Sequence, residues 1–364
     1  MKIEAAVLRD AAGAYALEQV ELAAPAADEV LVRIVGAGMC HTDVLPRAGS
    51  PLVSPPIIPG HEGSGVVEAV GADVTGVRVG DHVVLSFDSC GACTNCAAGQ
   101  PAYCDTFLVR NLTGRKVDGT TGVTDANGEP VLSRWFGQSS FATHCVATER
   151  NVVVVDPSLP LELLGPLGCG IQTGAGSILV ALNVQPGTSV VVFGTGAVGL
   201  AAVMAAAVAG ATTIIAVDLH AHRLELATEL GATHALNGTD PELLATIHAI
   251  TGGGANYAFD TTGVPAVMTT ALAGLRMTGV CGFVGVQTGD LVLDGLALVG
   301  KTAIGILEGS AKPQEFIPRM IALWQDGRFP FDRLIERYPM SQINEAERSS
   351  LSGGTVKPVL IPGT

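Results

Sequence analysis

Between residues 163 and 217 the chain carries no charged side chain. A stretch of that kind is stable in a lipid bilayer or in a protein interior, and punctuation decides between them. Pro166, Pro186 and many glycines cut it into pieces too short to span a membrane. One piece, Ser189–Phe193, is a β-type run, and Gly194-Thr195-Gly196-Ala197-Val198-Gly199 follows it at once. An Ala-rich segment, Val198–Ala209, comes next. The pattern is a buried parallel strand feeding a buried helix through a glycine turn. It commits this part of the chain to layered α/β structure and excludes a membrane span.

The alternation continues. Thr213–Val217 reads as a strand, His222–Leu230 as an amphipathic helix, and Tyr257–Asp260 and Gly279–Val284 as further strands. Strand–helix alternation means βαβ units, hence a doubly wound parallel sheet of Rossmann type. Residues 1–155 have another texture: short Val/Ile-rich runs at Glu29–Val35, Gly65–Val70, His82–Leu85 and Asn151–Val155, separated by Gly, Pro and Asp clusters. They predict a mainly β region. After about residue 300 the pattern is irregular, with one helix at Gln314–Gln325 and a last strand at Val356–Ile361. A chain of 364 residues accommodates two domains. The expected division is a mainly β domain over 1–165 and 300–364, with a lobe at 88–106, and an α/β domain over 166–299.

With 34 acidic against 20 basic residues, the net charge is −14. Nucleic acid binding needs clustered Lys and Arg, so a nucleic acid partner is excluded; a neutral small molecule is indifferent to the field. The N-terminal Met-Lys-Ile-Glu-Ala-Ala-Val lacks the pattern of a secretion signal. The expected location is cytoplasmic and reducing, so the eight cysteines read as metal ligands or thiols before disulfides.

A GxGxxG alone is weak evidence, but here a strand precedes Gly194, a helix follows, and the next strand ends at Asp218, nineteen residues past Gly199. That spacing suits a dinucleotide site. Gly194 permits the tight turn, Gly196 lets backbone approach a pyrophosphate, and Gly199 lets helix and strand pack closely. The helix N-terminus offers free N–H groups to the phosphates. Asp218 would accept hydrogen bonds from ribose hydroxyls and repel a 2′-phosphate, which favours NAD over NADP. A purely structural glycine turn is the competing reading. Arg223 fits either the adenosine end of the cofactor or a solvated helix face.

Cys90, Cys93, Cys96 and Cys104 form C-x2-C-x2-C-x7-C. Four thiolates so close in sequence fit a closed tetrahedral zinc site with a structural role. An iron–sulfur cluster and disulfides are the alternatives, the first against the usual spacings and the second against the compartment. Cys40, His61 and Cys169 each lie within two residues of a glycine at the edge of an expected element. Two thiolates and an imidazole would leave an open fourth position, as in catalytic zinc, but spacing alone cannot bring them together.

The segments Gly38–Asp43, Pro59–Gly63, Cys90–Cys104, Gly168–Gly174 and Gly194–Gly199 occur in the order found in zinc-containing medium-chain alcohol dehydrogenases, and the chain resembles that family along essentially its whole length. The stretches Gly327–Leu334 and Gly354–Leu360 resemble its aryl-alcohol branch more weakly. The resemblance implies a GroES-like catalytic domain beside the Rossmann domain, and two zinc ions per chain. Cys40, His61 and Cys169 match the catalytic ligands; Cys90, Cys93, Cys96 and Cys104 match the structural ones. Thr42 matches the hydroxyl that takes the alcohol proton, Asp43 the carboxylate behind His61, and Glu62 the glutamate near the catalytic zinc. His41 matches a position near the cofactor pyrophosphate; Thr173 and Val198 match residues at the nicotinamide. Where many members carry a relay histidine, this chain has Leu45.

The expected function is reversible oxidation of a primary, aromatic or allylic alcohol to its aldehyde with hydride transfer to NAD, by a homodimer or homotetramer. A formaldehyde–thiol adduct dehydrogenase, a general aliphatic alcohol dehydrogenase and a catalytically silent zinc- and NAD-binding protein are the alternatives. Trp135, Phe136 and Phe316 suit either an apolar substrate pocket or the core. Lys357 suits a phosphate contact or a solvated surface, and Cys145 and Cys281 suit buried fillers.

Overall fold

A computed structural model describes residues 1–363. They form two compact units, one of Met1–Cys169, Lys312–Pro318 and the residues from Asp332 on, the other of Gly170–Ala311 and Arg319–Phe331. The expected boundary placed everything after 300 in the first unit. The structure instead keeps residues up to 311 in the second, because the strand Thr302–Gly305 pairs in parallel with Leu275–Phe283 and extends that unit's sheet. Residues 319–331 also belong to the second unit.

The second unit is built on a six-stranded sheet, parallel throughout. Its spatial order is His234–Asn237, Thr213–Asp218, Ser189–Phe193, Ala255–Asp260, Leu275–Phe283, Thr302–Gly305. In chain order that is 3-2-1-4-5-6, the doubly wound dinucleotide-binding arrangement. The first strand, Ser189–Phe193, is buried along its length, as a central parallel strand must be. The helix Ala197–Val208 is apolar all round and buried from Gly199 to Ala206, the behaviour of a core helix. The helices Leu243–Thr251 and Pro265–Ala273 complete the alternation.

The first unit carries a seven-stranded sheet in the order Ile335–Pro339, Lys357–Ile361, Glu29–Gly38, Glu62–Val70, His82–Leu85, Val152–Val155, with His144–Thr148 also paired to Glu29–Gly38. A four-stranded sheet, led by the hairpin Lys2–Leu8 and Tyr15–Leu22, packs into the same core. Two central strands run further than their Val/Ile content predicts. Gly36, Ala37 and Gly38 pair with Ser64, Gly63 and Glu62, residues with little strand propensity. The glycines are required because neighbours press on them: a Cβ at Gly36 would meet the Glu162 backbone, and one at Gly38 the Glu62 carboxylate. The extension delivers the chain to Cys40 on one strand and from His61 on the next. The irregular C-terminal region holds a second helix, Ile343–Ser352. No single helix among the described residues is long and apolar enough to cross a membrane.

Candidate active site and metal centres

Three local devices bring the first site together. Beyond Gly38 the backbone stays extended at Cys40 and then enters the 3-10 turn His41–Arg47. Asp43, three residues into that turn, reaches back and accepts the Cys40 N–H at 3.0 Å, a capping arrangement that fixes the ligand's backbone. Gly60 has φ +90°, and a Cβ there would strike Phe141, so the turn into His61 needs glycine. The third segment, Leu161–Cys169, is fastened to the sheet by Ser64 Oγ donating to Leu161 O and Ser86 Oγ donating to Gly168 O, both at 2.6 Å.

As a result, ligand atoms of Cys40, His61, Glu62 and Cys169 all lie within 4.8 Å of one another. His61 is fully buried, and Cys169 is 6% exposed. His61 Nδ1 lies 2.8 Å from Asp43 Oδ1, while His61 Nε2 is buried without a hydrogen-bond partner. A buried imidazole nitrogen without a partner is costly unless an ion takes its lone pair. The Cys40 thiol is held well below its usual range, first by the hydrogen bond with Cys169, with Lys357 and His61 adding to it against burial. Burial disfavours charge on His61, yet Asp43 and Cys40 outweigh it and hold its pKa well above the ordinary value. Both shifts favour the charged forms, so Cys40 offers a thiolate to an ion. The donor set of two sulfurs, one imidazole and a nearby carboxylate fits zinc, and Cys2His with an open position is the catalytic set known from alcohol dehydrogenases.

Thr42 Oγ1 sits 3.7 Å from Cys40 Sγ. Glu62 is fully buried and meets Lys357 Nζ at 2.9 Å through both oxygens, and Lys357 also donates to Met39 O at 3.0 Å. Lys357 is thus neither solvated nor free for a phosphate: at 2% exposure it is an internal counter-charge. The signal was present as a lone charge inside the apolar run Val356–Ile361. Trp135, Phe136 and Phe316 are all buried. Trp135 Nε1 donates to Asp43 Oδ1 at 3.1 Å, and the Phe136 ring stacks on His61 with centroids 4.4 Å apart. Leu45 packs against the first unit's core, and His41 is exposed at the start of its turn. Cys145 and Cys281 are buried, and burial pushes both thiols up, Cys145 to about 12.

The second cluster lies in the same unit. The sulfurs of Cys90, Cys93, Cys96 and Cys104 fall within 4.8 Å of one another. Backbone N–H groups point at them: Cys93 and Ala92 donate to Cys90 Sγ at 3.2 and 3.4 Å, and Cys90 donates to Cys104 Sγ at 3.2 Å. Those Ala92 and Cys93 donors lower the Cys90 thiol to about 6. Four sulfurs with amide donors fit a closed structural zinc site.

In the second unit the glycine turn behaves as its spacing predicts. Gly194 has φ +84°, and a Cβ at Gly199 would collide with the Gly194 carbonyl oxygen. A Cβ at Gly196 would meet nothing within 4 Å, so this backbone faces open space where a phosphate could approach. Asp218 ends the second strand; its Oδ2 accepts the Thr195 N–H and hydroxyl at 2.6 and 2.8 Å, and its Oδ1 accepts the Leu219 and His220 N–H groups. Burial opposes its charge, but the Thr195 and His220 donors keep its pKa below the usual value. Arg223 Nε is buried without a partner on the following helix. Thr173 lies in the buried helix Gly170–Gly176, where a Cβ at Gly174 would strike the Val198 carbonyl, so Thr173 and Val198 sit on closely packed helices.

Family profiles agree with both halves. One described as alcohol dehydrogenase GroES-like domain matches residues 26–157, and one described as zinc-binding dehydrogenase matches 197–326. A geraniol dehydrogenase of Castellaniella defragrans is 50% identical over 98% of this chain and 97% of its own. The crystal structure of benzyl alcohol dehydrogenase from Acinetobacter calcoaceticus superposes with a TM-score of 0.96 at 44% identity, covering 100% of both chains. An alcohol dehydrogenase zinc-binding domain protein of Burkholderia ambifaria gives the same TM-score at 49% identity over 99% of each chain. A GroES-like unit with a buried thiolate–imidazole cluster, joined to a doubly wound nucleotide-binding unit, defines a zinc-type medium-chain dehydrogenase. This chain belongs to the zinc-containing alcohol dehydrogenase family and is an alcohol dehydrogenase.

Proposed function

We propose that the enzyme oxidises a primary alcohol, aromatic or allylic, to its aldehyde and reverses the reaction, with NAD as hydride carrier. One zinc would be held by Cys40, His61 and Cys169, and a second by Cys90, Cys93, Cys96 and Cys104. The carrying observation is that ligand atoms of Cys40, His61 and Cys169, far apart in sequence, lie within 4.8 Å of one another, with His61 Nε2 buried and without a hydrogen-bond partner. The substrate class is supported by the relatives named for geraniol and benzyl alcohol.

When bound, the catalytic zinc supplies Lewis acidity that lowers the pKa of an alcohol hydroxyl. The chain does the rest. Asp43 holds the Nδ1 proton of His61, so that Nε2 turns its lone pair inward. Thr42 receives the proton of the substrate hydroxyl, and Leu45 provides no acceptor beyond it, so the proton leaves by another group. Glu62 sits beside the ligands, its charge balanced by Lys357. In the nucleotide-binding unit, Gly194, Gly196 and Gly199 would shape the turn that takes the phosphates, and Asp218 would accept the ribose hydroxyls and disfavour a 2′-phosphate, which selects NAD. By the family resemblance, Arg223 would serve the adenosine end of the cofactor, His41 the pyrophosphate, and Thr173 and Val198 the nicotinamide. A homodimer or homotetramer in the cytoplasm completes the reading; the location is supported by the need of both clusters for reduced thiols, and the oligomeric state by the family resemblance alone.

The test is NADH formation with ethanol, benzyl alcohol, cinnamyl alcohol and geraniol, with and without a zinc chelator. Turnover of the aromatic and allylic alcohols, lost on chelation, is expected. Activity confined to ethanol or a secondary alcohol would overturn the substrate class.

A further inference from the structure

The Asp43 carboxylate is 1% exposed and carries four donors. Oδ2 takes the Cys40 N–H. Oδ1 takes His61 Nδ1 at 2.8 Å, the Gly60 N–H at 3.0 Å and the Trp135 indole N–H at 3.1 Å. Two of these donors are backbone groups of the two metal-bearing segments. The indole comes from elsewhere: it belongs to an arch, residues 134–139, whose conformation is unusual. Phe136, Gly137 and Ser139 all have positive φ, at 51, 70 and 57°. Positive φ at buried non-glycine residues persists only when surroundings impose it, and it concentrates at functional sites.

What imposes it here is a set of grips on the His61 segment. Ser139 Oγ accepts the Trp135 N–H at 2.9 Å and closes the arch on itself. Gln138 donates to His61 O at 2.9 Å and accepts the Gly63 N–H at 3.0 Å. The Phe136 ring lies over the imidazole at an interplanar angle of 27°. The arch therefore holds the histidine by its backbone, its ring face and, through Trp135 and Asp43, the nitrogen opposite the metal.

We propose that Trp135 is a positioning residue of the catalytic metal centre, whose indole N–H fixes the Asp43 carboxylate and so the orientation of His61. The inference rests on reading Cys40, His61 and Cys169 as the ligand set. Size alone would serve the core; the N–H aimed at a ligand-orienting carboxylate serves the metal. Groups that orient a zinc-bound histidine are typically worth about 10–100-fold in metal affinity, and one acting at one remove belongs at the lower end.

The experiment is zinc release from the intact holoenzyme to an excess of colorimetric chelator. It compares the wild type, Trp135→Phe, and a form in which Trp135 is replaced by benzothienylalanine, which keeps the bicyclic shape and lacks the N–H. Both replacements are expected to lose the catalytic-site zinc about tenfold faster. The zinc of the four-cysteine lobe serves as the internal reference and is expected to leave at the wild-type rate. Combined with Asp43→Asn, either replacement should add little to the release rate, since both act on one hydrogen-bonded unit. Wild-type release from the benzothienylalanine enzyme, or full additivity with Asp43→Asn, would overturn the proposal even if Trp135→Phe misfolds. Failure of the ligand reading would show differently, as wild-type protein holding zinc in the lobe alone.

Discussion

At the residue scale, the interior of the first unit is organised by charges that depend on named partners. Lys357 and Glu62 are 2% and 0% exposed and meet at 2.9 Å. Removing one member of a buried pair strands the other in a medium of low polarity, at a cost of about 3–5 kcal/mol. Lys357→Met should therefore lower the melting temperature sharply, and Lys357→Met with Glu62→Gln should recover much of the loss; thermal denaturation of the wild type and the two variants checks this. Glu29 behaves similarly near Arg134 and Lys116, each 2.7 Å from its Oε1. Burial raises its pKa, but the two cations outweigh burial and leave it below 4.5. A carboxyl depressed in the folded state stabilises at neutral pH and loses that contribution as pH falls through the folded value. Glu29→Gln should cost stability at pH 7 and flatten the acid limb below about 4.5, measured by urea midpoints across pH. Asp218→Asn should raise the KM for NAD roughly tenfold or more and narrow the preference over NADP, since a hydrogen bond to a charged acceptor is worth about 1.5–3 kcal/mol. Unchanged cofactor preference would remove Asp218 from its role.

At the scale of single elements, the glycine turn makes a sharper test because two of its glycines are glycine for different reasons. Gly199 has no room for a Cβ against Gly194, whereas Gly196 faces empty space. Gly199→Ala should strain the junction of strand and helix, costing about 1–3 kcal/mol and cofactor binding together. Gly196→Ala should leave the melting temperature near wild type and still weaken NAD binding. Equal melting temperatures for both variants would contradict this packing. The same turn shows what a sequence discloses readily: periodicity, a Gly signature and an acidic residue at fixed spacing are local properties. The lengthened strands around Gly36–Gly38 and Glu62–Ser64 were not legible, because these residues carry little strand propensity and Gly36, Gly38 and Gly63 are glycine for the sake of tertiary neighbours. Trp135 was ambiguous for a related reason. Its indole looks alike in a pocket wall, a core or a hydrogen bond until Asp43 is placed beside it.

At the scale of the whole molecule, two clusters of metal-binding side chains imply two zinc ions per chain by metal analysis, and one would mean that a site is misread. Removing the lobe's ion should destabilise the first unit, since burial around Cys90–Cys104 is slight and few apolar contacts would hold the lobe. The two-unit architecture was legible from the change of texture near residue 165; the strand Thr302–Gly305 was not, being short and exposed at a sheet edge.

The spread of the ligands along the polypeptide has a consequence for biosynthesis. Sulfurs at positions 90 to 104 leave the ribosome almost together and close a small ring, whereas those at 40 and 169 must wait for one another. On the proposed ligand sets, a nascent chain would complete the lobe's donors long before those of the catalytic site.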